Sequence, residues 1–168
     1  MAIIGDIRVR QPAPGDLVGR TFTVTGVGSG FEGTIGLRLL NDRGTVLARG
    51  SAQSTGGMAA VGEFTAALTV SKPPRAGTRL TLQVFGDDPD PQPGGPPGTN
   101  LREVEVLMYP DLHGWLLYRV ERGDTLTGIV RLARDFGRTT VAQIVAANPR
   151  ITDPDLIKVG WKLRVPLS

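Results

Sequence analysis

The side chains that most often carry out chemistry are scarce in this sequence. His113 is the one histidine, and there is no cysteine. A Ser/His/Asp or Cys/His nucleophile needs a base that a third polar group orients, and no second base or acid pattern accompanies His113. Phosphate-binding loops and dinucleotide fingerprints are also missing. We therefore expect a protein that is not an enzyme, has no catalytic residue and uses no cofactor.

Paired carboxylates are the remaining catalytic option, because glycoside hydrolysis needs two acids that face one groove. The candidates are Asp124, Asp153 and Asp155. Each stands beside glycine, threonine or proline, where aspartate commonly caps a helix or closes a turn. We interpret all three as cap and turn residues.

A second acidic group lies in a stretch rich in proline and glycine, residues 87–98. Asp87, Asp88 and Asp90 could offer oxygen atoms to calcium, but the glycine turn and terminal glutamate of an EF-hand loop are absent. Proline removes backbone donors and glycine is costly to order, so neither a helix nor a ladder strand fits here. We expect a solvated surface loop and no metal site.

The charge distribution argues against nucleic acid as a partner. Residues 1–110 contain ten Lys/Arg and ten Asp/Glu, whereas residues 111–168 contain nine and six. The excess is spread thinly and forms no dense stripe with interleaved aromatic residues. No apolar run is long enough to cross a bilayer, and the first residues do not read as a signal peptide. We expect no membrane insertion, and a location in the cytoplasm or in a particle assembled there, unless an unusual route exports the chain.

The pattern of apolar and turn residues changes near Pro110, which indicates two domains. Residues 1–109 contain about seven short runs of alternating apolar residues separated by Gly, Pro, Asn and Asp, a pattern typical of a β-sandwich. The clearest run is Phe64, Ala66, Leu68 and Val70. Residues 110–117 form a short linker with apolar ends, in which we expect Trp115 and Leu116 to pack the domains together or to cover a neighbour.

The remaining residues, 118–168, predict a small α+β domain. A strand is expected at 118–120, and Asp124 or Thr125 can cap a helix in which apolar residues recur at helical spacing up to Gly137, its expected C-cap. Thr139 or Thr140 starts a second helix that ends at Asn148-Pro149, and a second strand follows at 162–165. The two strands can pair antiparallel with both helices on one face.

The sandwich segment resembles the immunoglobulin-like domain named for bacterial spore germination proteins. The motifs that carry the resemblance are Gln11-Pro12-Ala13-Pro14-Gly15, Val24-Thr25-Gly26, Phe31-Glu32-Gly33-Thr34, Arg38-Leu39-Leu40-Asn41-Asp42-Arg43-Gly44 and Gly62-Glu63-Phe64. Such domains are similar to adhesion and scaffold modules. The resemblance implies a fold and no activity.

The C-terminal segment resembles a LysM domain throughout its length. The matching residues are Tyr118, Val120, Gly123-Asp124-Thr125-Leu126, Ile129, Asn148-Pro149, Ile151, Leu156-Ile157, Gly160, Leu163 and Val165-Pro166. The resemblance implies binding of N-acetylglucosamine-containing glycans such as peptidoglycan or chitin. It places the groove between the loop at 123–126 and the loop at 148–156, and it gives the following glycan-binding residues: Gly123, Asp124, Thr125, Leu126, Asn148, Pro149, Ile151 and Thr152.

Two positions depart from the LysM pattern. Thr127 stands where many relatives carry an aromatic residue, and Trp161 replaces a commonly polar residue. Together with Trp115, Trp161 is a candidate protein contact. Two hypotheses follow. The first is a non-enzymatic adaptor that binds peptidoglycan or another N-acetylglucosamine glycan. The alternative is a structural baseplate or tube-associated component of a phage-tail-like contractile injection particle, whose LysM domain contacts protein subunits.

Overall fold

The chain folds into an all-β sandwich followed by a small α+β module, which confirms the fold class expected from the sequence. The computed structural model describes residues 5–58, 60–88, 90 and 95–168. The strands of the sandwich are β1 Ile7–Gln11, β2 Asp16–Val18, β3 Thr21–Gly28, β4 Thr34–Leu40, β5 Val46–Gln53, β6 Gly62–Thr69, β7 Thr78–Gly86 and β8 Thr99–Met108. A short 3-10 turn, Phe31–Gly33, precedes β4.

Two sheets pack face to face to form the sandwich. One has the strand order β1-β3-β6 and the other the order β2-β8-β7-β4-β5. In β4, buried Ile35, Leu37 and Leu39 alternate with half-buried residues, as the period of a strand requires. Each such buried side chain contributes about 1.5–3 kcal/mol, so the alternating runs of both sheets supply the core.

One strand of the sandwich was not expected from the sequence. Asp16–Val18 continues directly from the proline-bearing turn and pairs in parallel with the end of β8, where Leu17 lies opposite Leu107. Three residues are too few to show an alternation, and only the neighbouring strand defines them as β2. Residues 87, 88, 90 and 95–98 lie in no helix or strand, and the rest of the expected 87–98 loop lies outside the described residues.

The C-terminal module consists of β9 Gly114–Arg119, α1 Leu126–Ala133, α2 Val141–Ala147 and β10 Lys162–Leu167. The two strands pair antiparallel, with Tyr118 opposite Leu163. The first strand begins at Gly114, earlier than the start at Tyr118 that we expected, because Leu116 alternates with Tyr118 toward the core. No helix among the described residues is both long and apolar enough to cross a membrane.

Threonine hydroxyls cap both helices. The Thr125 hydroxyl accepts a hydrogen bond from Gly128 N at 3.1 Å, and the Thr140 hydroxyl accepts one from Gln143 N at 3.2 Å. These bonds satisfy backbone donors that the first helical turn leaves free. Of the alternatives open in the sequence, Thr125 and Thr140 are therefore the N-caps.

Gly137 is not the cap of α1. The helix ends at Ala133, and Gly137 has no positive φ; its N–H donates to the Ala133 carbonyl at 3.0 Å. A Cβ atom at this glycine would lie 3.1 Å from Leu167 Cβ, which is closer than ordinary contact. Glycine is placed here because the chain after α1 passes close to β10.

A small apolar cluster joins the two domains. It contains Leu17, Leu107, Tyr109 and Ala147, with Leu112 packed against it. Tyr109 Oη donates to the carbonyl oxygen of Gln143 on α2 at 2.8 Å. Because sandwich strands and α2 share this cluster, their contact fixes one domain against the other.

A charged contact supplements this apolar cluster. The guanidinium of Arg164 on β10 donates to the Gly15 carbonyl and lies 3.7 Å from an Asp16 carboxylate oxygen. Trp115 and Leu116 do not belong to the interdomain cluster, contrary to one of our two expectations. Leu116 packs against the core of the C-terminal module, and Trp115 is 43% exposed.

Candidate functional site

A cleft of about 450 Å³ opens on the C-terminal module between two irregular segments. One wall is the turn that leads into α1, and the other is the segment that precedes β10. The described residues that line it are Asp124, Thr125, Leu126, Thr127, Val141, Pro154, Asp155 and Ile157. The cleft shares residues 124–126 and 154–155 with the two loops between which the LysM resemblance places a groove.

Asp124 shapes the turn on the first wall. Its Oδ2 atom accepts hydrogen bonds from Tyr118 Oη at 2.9 Å and from Glu121 N at 2.7 Å. The hydrogen bond to Asp124, with burial adding to it, raises the pKa of Tyr118. Gly123 adopts a φ of +91°, which glycine tolerates without strain, and turns the chain toward α1.

The carboxylate of Asp124 is thus held by its own turn, whereas backbone donors remain free beside it. The N–H groups of Leu126 and Thr127 belong to the first turn of α1, where no preceding helical carbonyl is available. None of the hydrogen bonds among the described residues uses them. These two groups are unused donors of residues that line the cleft.

The second wall supplies apolar side chains and an exposed turn. Val141 and Ile157 are half-buried, while Pro154 and Asp155 are exposed. Asp153 organises this segment, since its Oδ1 accepts from Asp155 N at 2.9 Å. These four lining residues were absent from the sequence-based set. The sequence Asp153-Pro154-Asp155 predicts a turn in this segment. It does not predict that α2, which carries Val141, lies beside that turn.

The structure places Asn148 and Pro149 away from this cleft. Both line a different cleft of about 600 Å³, with Leu117, Ala147, Arg150, Lys162 and Arg164. Asn148 is 6% exposed. Its amide nitrogen donates to the carbonyls of Ile144 and Arg164 at 2.7 Å each, and its Oδ1 accepts from Arg164 N at 2.8 Å. Asn148 therefore ties the end of α2 to β10.

The other two residues expected from the second loop also differ in their surroundings. Ile151 is 5% exposed and belongs to the core of the module, where it cannot present a face to a sugar. Thr152 is exposed in the segment that leads to Pro154, but it does not line the cleft. Of the eight residues in the sequence-based set, Asp124, Thr125 and Leu126 line the cleft.

Trp161 carries two cations over its ring. Arg150 Cζ lies 5.5 Å and Lys158 Nζ 6.0 Å from the ring centroid. The side chain is half-buried against the core of the module, and its carbonyl oxygen accepts from Val120 N at 2.8 Å. Trp161 therefore mainly packs against the core of the module, and the two cationic side chains lie over its ring.

Comparison with known proteins gives both halves of the chain a family. The model of the immunoglobulin-like domain of bacterial spore germination matches residues 6–91, just over half of the chain. The chain belongs to this family. A LysM domain model matches residues 118–166, so a LysM domain follows the immunoglobulin-like domain in the order expected. A search of the curated proteins found no match.

These two matches set the class of function. Both families are binding domains without catalytic activity of their own, and a LysM domain supports a glycan-binding module of the peptidoglycan-binding type. The cleft of the LysM domain and its free backbone donors are consistent with that class. In the sandwich, as in the rest of the described chain, no group of three or more His, Cys, Asp or Glu side chains is placed to hold a metal ion.

Proposed function

We propose that this protein is a non-enzymatic adaptor whose LysM domain binds N-acetylglucosamine-containing glycan, with peptidoglycan as the ligand class. The observation that supports the proposal is the cleft between residues 124–127 and 154–157, which involves the first loop and the end of the second loop named by the LysM resemblance. The immunoglobulin-like domain then holds this cleft at a fixed orientation through the interdomain cluster.

The chemistry of the cleft suits an N-acetylated sugar. The free N–H groups of Leu126 and Thr127 can donate to an acetamido carbonyl, and the sugar ring can lie against Val141 and Ile157. Backbone groups in two loops fix the position of the acetamido group without a charged side chain. The binding should therefore depend weakly on salt.

The proposal is tested by retention on purified peptidoglycan and on chitin. Thr127 is exposed at the start of α1 and lines the cleft, so Thr127→Arg fills the cleft without disturbing the core. Leu132→Arg is the matched control, because it adds the same side chain to an exposed position of the same helix outside the cleft. We expect Thr127→Arg to weaken retention by about tenfold or more and Leu132→Arg to change it less than about twofold.

Two results would refute glycan binding at this site. One is an unmodified protein that neither polymer retains at any concentration tested, including the high concentrations that a single weak module needs. The other is an equal effect of both substitutions, which would indicate that retention uses another surface. Melting curves of all three proteins exclude unfolding as the cause.

A second candidate function is a structural subunit of a phage-tail-like contractile injection particle that uses the LysM domain for protein contacts. The observation that favours it is the exposed apolar pair Trp115 and Leu117 on β9, outside the cleft. Co-sedimentation with sheathed particles, together with no retention on peptidoglycan, would support this candidate over the first. Retention that Thr127→Arg abolishes would support the first.

A further inference from the structure

The outer edge of β9 has backbone groups without partners. The LysM sheet contains two strands in the described chain, so β9 pairs with β10 on one side and with no strand on the other. Val120 N donates to the Trp161 carbonyl, and Pro166, which has no N–H, lies opposite Trp115. The alternation of an antiparallel pair therefore directs the N–H and C=O groups of Trp115, Leu117 and Arg119 away from β10.

The opposite edge of the same sheet is occupied at its middle, at Arg164. There the Asn148 side chain accepts from Arg164 N and donates to the Arg164 carbonyl, as a neighbouring strand would. This difference matters because an open edge is a template for another strand, and folded proteins usually protect such edges with charge, proline or a covering element. Because Asn148 occupies the middle of the β10 edge and Pro166 has no N–H there, β9 offers the longer run of free backbone groups among the described residues of this sheet.

The side chains along this edge are apolar at one end. Trp115 is 43% and Leu117 66% exposed, and as alternate residues of one strand they project from the same face. A pair of large exposed apolar side chains spaced at i and i+2 matches the side-chain period of an added strand. Sugars and nucleic acids have no such alternating backbone to pair with the edge.

The other end is strongly cationic. Arg119 and Lys162 lie directly opposite each other in the β9–β10 register, and both are exposed. Like charges in this position destabilise the pair of strands. The adjoining cleft is lined by Arg150, Lys162 and Arg164 and by no acidic residue among those that the structure describes. Among the described residues, Arg164 is the one of these three that forms an ion pair, with Asp16 of the sandwich.

We propose that β9 is a docking edge for an extended, acidic segment of a partner protein, which adds to the LysM sheet as a third strand. Its backbone would pair with the free groups of Trp115, Leu117 and Arg119. Its apolar side chains would cover Trp115 and Leu117, and its carboxylates would lie beside Arg119 and Lys162. A second copy of this chain fits less well, because it would bring the same positive charges to the interface.

The test uses three synthetic peptides of about eight residues with blocked ends. In the first, the alternate residues of one face are two valines and two glutamates, with threonine between them, and the second has lysine in place of glutamate. The third is the first with the amides of its valines and glutamates N-methylated, so that it keeps the charge and loses strand pairing. Binding is followed by backbone amide shifts of the full chain. We expect the acidic peptide to shift Trp115, Leu117 and Arg119, and each of the other two to bind at least about tenfold more weakly.

Substitutions give a second arm of the test. Leu117→Pro removes a donor of the free edge and none of the β9–β10 ladder, a position at which edge strands tolerate proline. Leu117→Thr is its control, because it keeps the N–H. We expect Leu117→Pro to abolish binding of the acidic peptide, Leu117→Thr to retain most of it, and Lys162→Glu to weaken it by about tenfold. Should Leu117→Pro fail to fold, the N-methylated peptide tests the same bond in the unmodified protein.

Each contrary outcome overturns the proposal. Equal binding of the N-methylated peptide excludes strand addition, and equal binding of the basic peptide excludes an acidic partner. Self-association that Leu117→Pro suppresses would identify a second copy as the occupant. The glycan proposal is tested separately, since Thr127→Arg should leave peptide binding unchanged and Leu117→Pro should leave retention on peptidoglycan unchanged.

Discussion

Replacing Asn148 with alanine tests whether this side chain holds the LysM fold together or binds glycan. The side chain is 6% exposed and makes three hydrogen bonds of 2.7, 2.7 and 2.8 Å to backbone groups of α2 and β10. At about 1 kcal/mol for each bond, the substitution should lower the free energy of unfolding of the LysM domain by about 3 kcal/mol. For a small domain this corresponds to a fall in melting temperature on the order of 10–20 °C.

The assay exploits the position of the two tryptophans. Both tryptophans of the chain, Trp115 and Trp161, lie in the LysM domain, so urea unfolding followed by tryptophan fluorescence reports on that domain. At a temperature where Asn148→Ala is still folded, its affinity for peptidoglycan should stay within about twofold of the unmodified protein. The control is Thr127→Arg, for which we expect the reverse: lost affinity and unchanged stability.

A stable Asn148→Ala variant that no longer binds glycan would contradict both expectations. If the free energy of unfolding of Asn148→Ala lies within about 0.5 kcal/mol of that of the unmodified protein, the three hydrogen bonds do not contribute the stability assigned to them. If it also loses glycan affinity by about tenfold, Asn148 is a ligand and the cleft has been placed wrongly.

Three further predictions concern the domain interface and the first helix. Burial raises the pKa of Tyr109 to about 12, so stability from the neutral hydroxyl is complete below pH 10 and is lost as the pH rises toward 12. The free energy of unfolding should fall by about 1.4 kcal/mol per pH unit in this window, and Tyr109→Phe should remove that component in urea titrations at each pH. Gly77 has a φ of +82°, and an added Cβ would lie 2.6 Å from Ala146 Cβ. Gly77→Ala should therefore lower the free energy of unfolding by about 1–3 kcal/mol and increase interdomain motion in small-angle scattering. Unchanged stability and scattering would show that this close approach does not hold the domains together. Thr125→Ala should destabilise the LysM domain by about 1 kcal/mol through loss of the helix cap, whereas Thr125→Ser should retain the cap, as measured by tryptophan fluorescence.

The elements of this protein were largely predictable because their signals are local. Alternation in runs such as Phe64 to Val70 depends only on the period of a strand, and helical spacing of apolar residues identified α1 and α2. Threonine caps were predicted as one of two adjacent residues, because capping needs only a hydroxyl or carboxylate just before the helix. Where a run is too short to show alternation, as in the three residues of β2, no strand could be predicted.

The candidate site was less predictable than the fold. A sequence motif places Asn148 and Ile151 near the groove in chain order, but chain order does not say which way a side chain points. The tertiary structure turns Asn148 to β10 and Ile151 into the core, because the buried backbone groups and the apolar face there need them. Val141 joins the cleft only because α2 packs beside the segment that precedes β10.

Taken alone, the sequence determined two domains, the type of each fold and the class of function, since periodicity, turn residues and family motifs are properties of neighbours along the chain. Tertiary structure decided which residues line one cleft, how Tyr109 and Arg164 fix the domains, and which strand edge stays open. These features depend on contacts between residues far apart in sequence, such as Arg164 with Asp16 and Asn148 with Arg164. No local pattern records such contacts, because they follow from the packing of the whole chain.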